Sequence, residues 1–147
     1  MCRIEIMPSY WLIKTEPHTW SWSQQVYAGN EGTEWDGVRN HQAKNNIKNM
    51  KVGDLVFFYH SGSERQIIGI VTVLTPPKID STDLSNTWYS TYVSAVSTLH
   101  RPVTLSEIKQ NSCLSNMLLV TNSRLSVQPV TMQEWQEILR ISSTTTP

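Results

Sequence analysis

Apolar positions along the chain fall in short runs broken by polar, glycine- and proline-punctuated stretches, a rhythm of brief strands and helices. Residues 10–15 (Tyr-Trp-Leu-Ile-Lys-Thr) predict a buried strand. Glu16-Pro17 ends it in an extended loop, because proline keeps the preceding residue out of helical space. Residues 55–60 (Leu-Val-Phe-Phe-Tyr-His) are apolar on both alternating faces until the strand emerges at His60, as expected of a central strand. After a hairpin-type loop at 61–65, residues 67–74 return as a second buried strand with a bulge expected at Gly69. Residues 78–87, polar and acidic, predict a mobile loop. Residues 88–96 predict a strand near a sheet edge, and 118–120 and 124–129 predict short closing strands.

Three capping boxes mark helix starts: Ser21 with Gln24, Thr104 with Glu107, and Thr131 with Glu134. Gly29 is placed to close the first helix. Met132, Trp135, Ile138 and Leu139 form the apolar stripe of the last, and the Ser-Thr tail from Ser142 is expected to fray. A fourth helix begins at Asn40, whose side chain can accept from free first-turn N–H groups. Its stripe is Ala43, Ile47 and Met50, and Lys48 and Lys51 suit its C-terminal end. Interleaved strands and helices argue a mixed α/β (α+β) fold, a small, curved, partly closed sheet of about six strands with helices outside.

The fourth helix opens beside Trp35-Asp36-Gly37-Val38-Arg39-Asn40, a glycine-hinged turn carrying an indole, a carboxylate, a guanidinium and an amide. This is a candidate pocket for a planar, partly anionic ligand. The plainer reading makes Trp35 core and Asp36–Arg39 a structural ion pair that holds the carboxyl ionised.

At 147 residues the chain is read as one domain, residues 8–141, with flexible termini at 1–7 and 142–147 and Met7 an equally good start. Twelve basic and twelve acidic residues cancel, so a nucleic-acid groove, if built, uses few cations. Six Trp and five Tyr against two Phe favour side chains that pair a stacking face with a polar handle. Cys2 and Cys113 make neither a metal spacing nor a disulfide framework. With no signal-peptide or transmembrane pattern, the expectation is a cytoplasmic protein without metal, cofactor or membrane partner. Lys14, Glu16, Asp36, His41 and His60 are the groups from which a hydrolytic site would be drawn, but G-x-S-x-G, H-E-x-x-H, G-x-G-x-x-G and P-loop patterns are all lacking.

Four blocks, taken together and in order, carry a family resemblance: residues 10–17, 35–43 (Trp-Asp-Gly-Val-Arg-Asn-His-Gln-Ala), 56–61 and 124–130 (Arg-Leu-Ser-Val-Gln-Pro-Val). The chain resembles the EVE domain family of the PUA-like superfamily, related to YTH readers of methylated RNA. The resemblance implies a PUA-like pseudo-barrel and a pocket for a modified base extruded from DNA or RNA. By the same analogy Lys14, Thr15 and Glu16 read the base edge and Trp35 forms one wall. Tyr59, His60 and Ser61 line floor and rim, and Gln128, with Arg124 nearby, comes from the closing strand. Asp36, Arg39 and Asn40 complete the expected ligand-binding set. The connection at 75–87 is shorter than is usual in the family, leaving Trp88, Tyr89 or Trp20 as candidates for a second wall, with Trp88 slightly better as core. A small amidohydrolase acting on modified nucleosides and a scaffold with a vestigial pocket are the competing functions.

Overall fold

The computed structural model describes residues 9–145 and 147, so the expected flexible segment at 1–7 lies outside the described residues. Among the described residues eight strands form: β1 Tyr10–Thr15, β2 Thr33–Glu34, β3 Leu55–His60, β4 Gln66–Val73, β5 Lys78–Ile79, β6 Tyr89–Ser90, β7 Tyr92–Thr104 and β8 Val127–Val130. Five α-helices accompany them: α1 Trp22–Tyr27, α2 His41–Asn49, α3 Leu105–Gln110, α4 Leu118–Thr121 and α5 Met132–Ser142. Six strands make one curled sheet in the order β2-β7-β4-β3-β1-β8, while β5 and β6 form a separate ribbon. β1 runs parallel to β3 and antiparallel to β8.

Alternation along the strands explains the two cores. Leu12, Phe57, Ile67 and Ile70 face one side and meet Ile108, Leu119, Trp135 and Ile138 from α3, α4 and α5. Trp11, Ile13, Val56, Phe58 and Val71 face the other and meet Trp22, Ala43 and Ile47 from α1 and α2. β3 is sealed on both faces, which is why Leu55–Tyr59 is an unbroken apolar run; His60, expected to emerge, is buried as well.

Capping fixes the helices where expected. Ser21, Thr104 and Thr131 each complete a reciprocal box, and Asn40 accepts from the Ala43 N–H. The bulge falls at Ile68, beside Gly69. A Cβ on Gly69 would lie 2.3 Å from Trp22 Cζ2, so the glycine is what lets the Trp22 ring lie on the sheet.

Four expectations are corrected. Residues 118–120 belong to helix α4, not a strand. The 88–96 strand divides into β6 and β7, and β7 extends to Thr104; it lies near the sheet edge as expected, covered on its outer side only at Tyr92 and Val93 by the two-residue β2. The 78–87 segment is bound to the domain: Gly37 N–H and Arg39 Nη1 donate to the Asp80 carboxylate at 2.8 and 3.1 Å, and Ser81 N–H donates to Glu34 at 3.0 Å. The tail is held as far as Thr144, whose N–H donates to Leu139 O at 3.0 Å and whose hydroxyl accepts from His100 N–H; Ser142 is fully buried.

Candidate functional site

A cavity of about 620 Å³ opens where the end of β1, the loop before α1, β2 and the 35–39 turn converge. Lys14, Thr15, Glu16, Thr19, Trp20, Thr33, Glu34, Trp35, Asp36, Gly37, Val38, Arg39 and Ser126 line it. Its size is that of small-molecule sites in general.

Both tryptophans are held in place. The Trp35 backbone N–H donates to the Thr91 carbonyl at 2.8 Å, and its ring meets Phe58 edge-on, centroids 5.6 Å apart. Trp20 donates its indole N–H to Gln25 Oε1 at 2.9 Å; the fully buried Gln25 amide then donates to Val93 O at 3.1 Å. Thr15 Oγ1 donates to the Trp20 carbonyl at 3.0 Å, tying strand end to loop. Of the three candidates for a second aromatic wall, Trp20 is the one in the cavity lining. Trp88 packs instead on His41, centroids 4.8 Å apart, with Arg39 and Lys44 each 5.8 Å from its ring.

The 35–39 turn owes its shape to a residue in a different loop, 43 positions beyond Gly37. The buried Asp80 carboxylate accepts from Gly37 N–H at 2.8 Å, Arg39 Nη1 at 3.1 Å, and Thr82 N–H and Oγ1 at 2.7 and 2.6 Å. Burial alone would raise this carboxyl, yet the hydrogen bonds from Thr82, Gly37 and Arg39 hold it below its ordinary value. Gly37 takes φ +78, which glycine adopts freely. Glu34 is likewise committed: it accepts from the Ser81 N–H and hydroxyl and from Ser90 Oγ at 2.6 Å. Burial pushes its carboxyl up, and these bonds more than offset that.

The expected Asp36–Arg39 pair is not formed, because Arg39 reaches Asp80 and Thr82 instead. Burial, then the charges of Asp80 and Glu34, raise the Asp36 carboxyl above its ordinary value. Lys14 Nζ donates to the Ser123 carbonyl at 2.7 Å, and burial lowers its pKa.

Six expected site residues therefore meet at the cavity: Lys14, Thr15, Glu16, Trp35, Asp36 and Arg39. The other six are placed elsewhere. Asn40 caps α2. Tyr59 packs in the core facing α5, and burial raises its hydroxyl pKa. His60 is buried; its Nε2 accepts from Trp22 N–H at 3.0 Å, so Nδ1 carries the proton given to Glu64 Oε1 at 3.0 Å. Ser61 starts the hairpin loop, its N–H donating to Thr15 O. Arg124 is exposed beyond the rim. Gln128 is completely buried, shares its side of β8 with Val130, and donates to Leu125 O; that side belongs to the core opposite α1 and α2. Among the described residues no group of three His, Cys, Asp or Glu gathers as metal ligands, and no helix is long and apolar enough to cross a membrane.

The geometry matches known proteins closely. A crystal structure of an Agrobacterium tumefaciens protein superposes with TM-score 0.90 at 45% identity, covering 95% of this chain and 96% of that one. Human THYN1, solved in complex with DNA containing 5-methylcytosine, superposes with TM-score 0.85 at 30% identity, covering 94% and 99%. A YTH domain from Zygosaccharomyces rouxii shares the fold, with TM-score 0.56 at 15% identity over 100% and 94%. The sequence profile of the EVE domain matches residues 9–141, and the chain belongs to the EVE domain family.

Proposed function

We propose that this protein binds a modified nucleobase, extruded from DNA or RNA, in the cavity lined by Trp20 and Trp35, and releases it unchanged. The observation that carries the reading is a pair of indoles lining one cavity, Trp20 held by the hydrogen bond from its indole N–H to Gln25 and Trp35 by its backbone bond to Thr91 O and its edge-on contact with Phe58. Such rings offer stacking faces without an ordering cost at the moment of binding, and base stacking contributes roughly 1–3 kcal/mol per base. Kinship with human THYN1, whose complex holds 5-methylcytosine DNA, supports the same class of ligand. Non-catalytic binding is favoured over hydrolysis by the state of the candidate groups. The basic nitrogen of His60 is occupied by Trp22 N–H, and the Thr15 hydroxyl is engaged by the Trp20 carbonyl.

The test is titration of wild type and Trp35→Ala with an oligonucleotide carrying 5-methylcytosine and with its unmethylated twin. The expected result is tighter binding of the methylated strand and a Kd raised about 5- to 150-fold in the variant. Equal affinity in both proteins would overturn the cavity assignment. Mass spectrometry of the ligand after long incubation should return it intact.

A further inference from the structure

The acidic groups around the cavity differ in what they already hold. Glu34 is filled by Ser81 and Ser90, and Asp80 by Gly37, Arg39 and Thr82. Glu16 pairs with His18 Nε2 at 2.9 Å on the exposed rim. Asp36 lines the cavity next to Trp35, and among the described residues no other side chain bonds or pairs with its carboxyl. A carboxyl left free in a cavity whose other acids are saturated is available to a ligand.

Resting on the base-binding reading, we infer that Asp36 reads the edge of the bound base, and that it does so on bases presenting an amino group beside an unprotonated ring nitrogen. Cytosine (N4–H and N3) and adenine (N6–H and N1) share this edge. A carboxylate meets it with one good bond and one lone-pair clash. With one added proton, held between carboxyl oxygen and ring nitrogen, both contacts become hydrogen bonds. No bond is made or broken beyond that proton, which solvent supplies. Guanine, with two donors at this edge, needs no such proton. Thymine has no basic ring nitrogen to share one.

The surroundings favour proton uptake. Burial and then the charges of Asp80 and Glu34 raise the Asp36 carboxyl, outweighing its own backbone N–H and the charge of Arg39, whose guanidinium is bonded to Asp80. The remaining titratable groups on the cavity are Lys14, bound to Ser123 O, and the Glu16–His18 pair. Neither is bonded to Asp36.

Kd is measured between pH 5 and 8 for oligonucleotides with 5-methylcytosine, N6-methyladenine, thymine or guanine at the test position. For wild type, affinity for an amino-edged base should rise as pH falls, approaching tenfold per unit, the mark of one proton taken up. Whichever of the two methylated bases shows the slope names the ligand. Asp36→Asn, whose amide supplies donor and acceptor at every pH, should bind that base with no slope; Asp36→Ala should bind weakly with no slope. A flat wild-type profile, a slope that survives in Asp36→Asn, or a thymine strand matching the best binder in affinity and slope would overturn the inference. Its failure is distinguishable from failure of the parent reading: there, Trp35→Ala would bind as wild type at every pH.

Discussion

On the face covered by α3, α4 and α5, Trp135 is stacked between Tyr10 and Phe57, with centroids 4.5 and 3.8 Å away, amid aliphatic side chains. On the face covered by α1 and α2, apolar packing shares the work with buried polar groups. Asp54 accepts from Ser9, Trp11 and Lys51, while Gln25, His60 and Asp80 tie loops to the sheet. The first face is closed, and its orphans are core atoms such as Trp135 Nε1 and Gln128 Oε1. The second leaves a cavity. Apolar contact alone fills space without direction, whereas a buried carboxylate or amide fixes the orientation of what it holds. Loops that must present side chains to a ligand are accordingly the ones anchored by Asp80 and Gln25.

Substitutions can break the contrast from either side. Trp135→Ala should be the most damaging to stability, costing about 3–5 kcal/mol in urea denaturation, with oligonucleotide affinity unchanged wherever the protein remains folded. Asp80→Asn should lower both quantities at once. It weakens charge-assisted bonds to Gly37 and Arg39, each about 1.5–3 kcal/mol, and frees the turn that carries Trp35 and Asp36. Because folding lowers the Asp80 pKa, its contribution is present above the ordinary value of 3.8 and lost as pH falls through the folded value. The stability gap between wild type and Asp80→Asn should therefore be wide at pH 7 and shrink as pH falls below 3.8. Gln25→Leu should cost about 1–2 kcal/mol and weaken binding a few-fold, by leaving the Trp20 indole N–H without its acceptor. The smallest effect belongs to Lys44→Ala, on the α2 surface beside Trp88: stability within about 0.5 kcal/mol, and a salt slope of binding reduced by about 0.7–0.9 if it neutralises one phosphate.

What could be read in the chain depended on whether its cause was local. The capping boxes at Ser21, Thr104 and Thr131 and the Asn40 cap involve partners three residues away, and all four form. The double-faced burial of β3 shows in its unbroken apolar run. Leu118-Leu119-Val120 is too short to display a period, and tertiary packing of Leu119 into the core decides for helix. Gln128 illustrates a parity problem: neighbours on β8 point to opposite faces, and only its pairing with β1 shows which face is which. Asp80 was invisible, because a carboxylate in a polar acidic stretch resembles solvated loop until its partners at 37 and 39 come beside it. The same distance hid the fate of Asp36, whose sequence neighbour Arg39 is taken by Asp80.

The place of β1 in the sheet governs the order in which the molecule can be completed. Its neighbours are β3 on one side and, on the other, β8 at residues 127–130, nearly the whole chain away. Lys14 hydrogen-bonds Ser123, and Ser126 lines the same cavity as Lys14 and Trp35. During synthesis β1 and both cavity indoles emerge well before Ser123, Ser126 and β8, which supply the wall across from them. Pairings so distant in sequence form slowly and late. A nascent chain thus presents its aromatic residues before it owns a binding site, and competence for ligand waits on the arrival of β8.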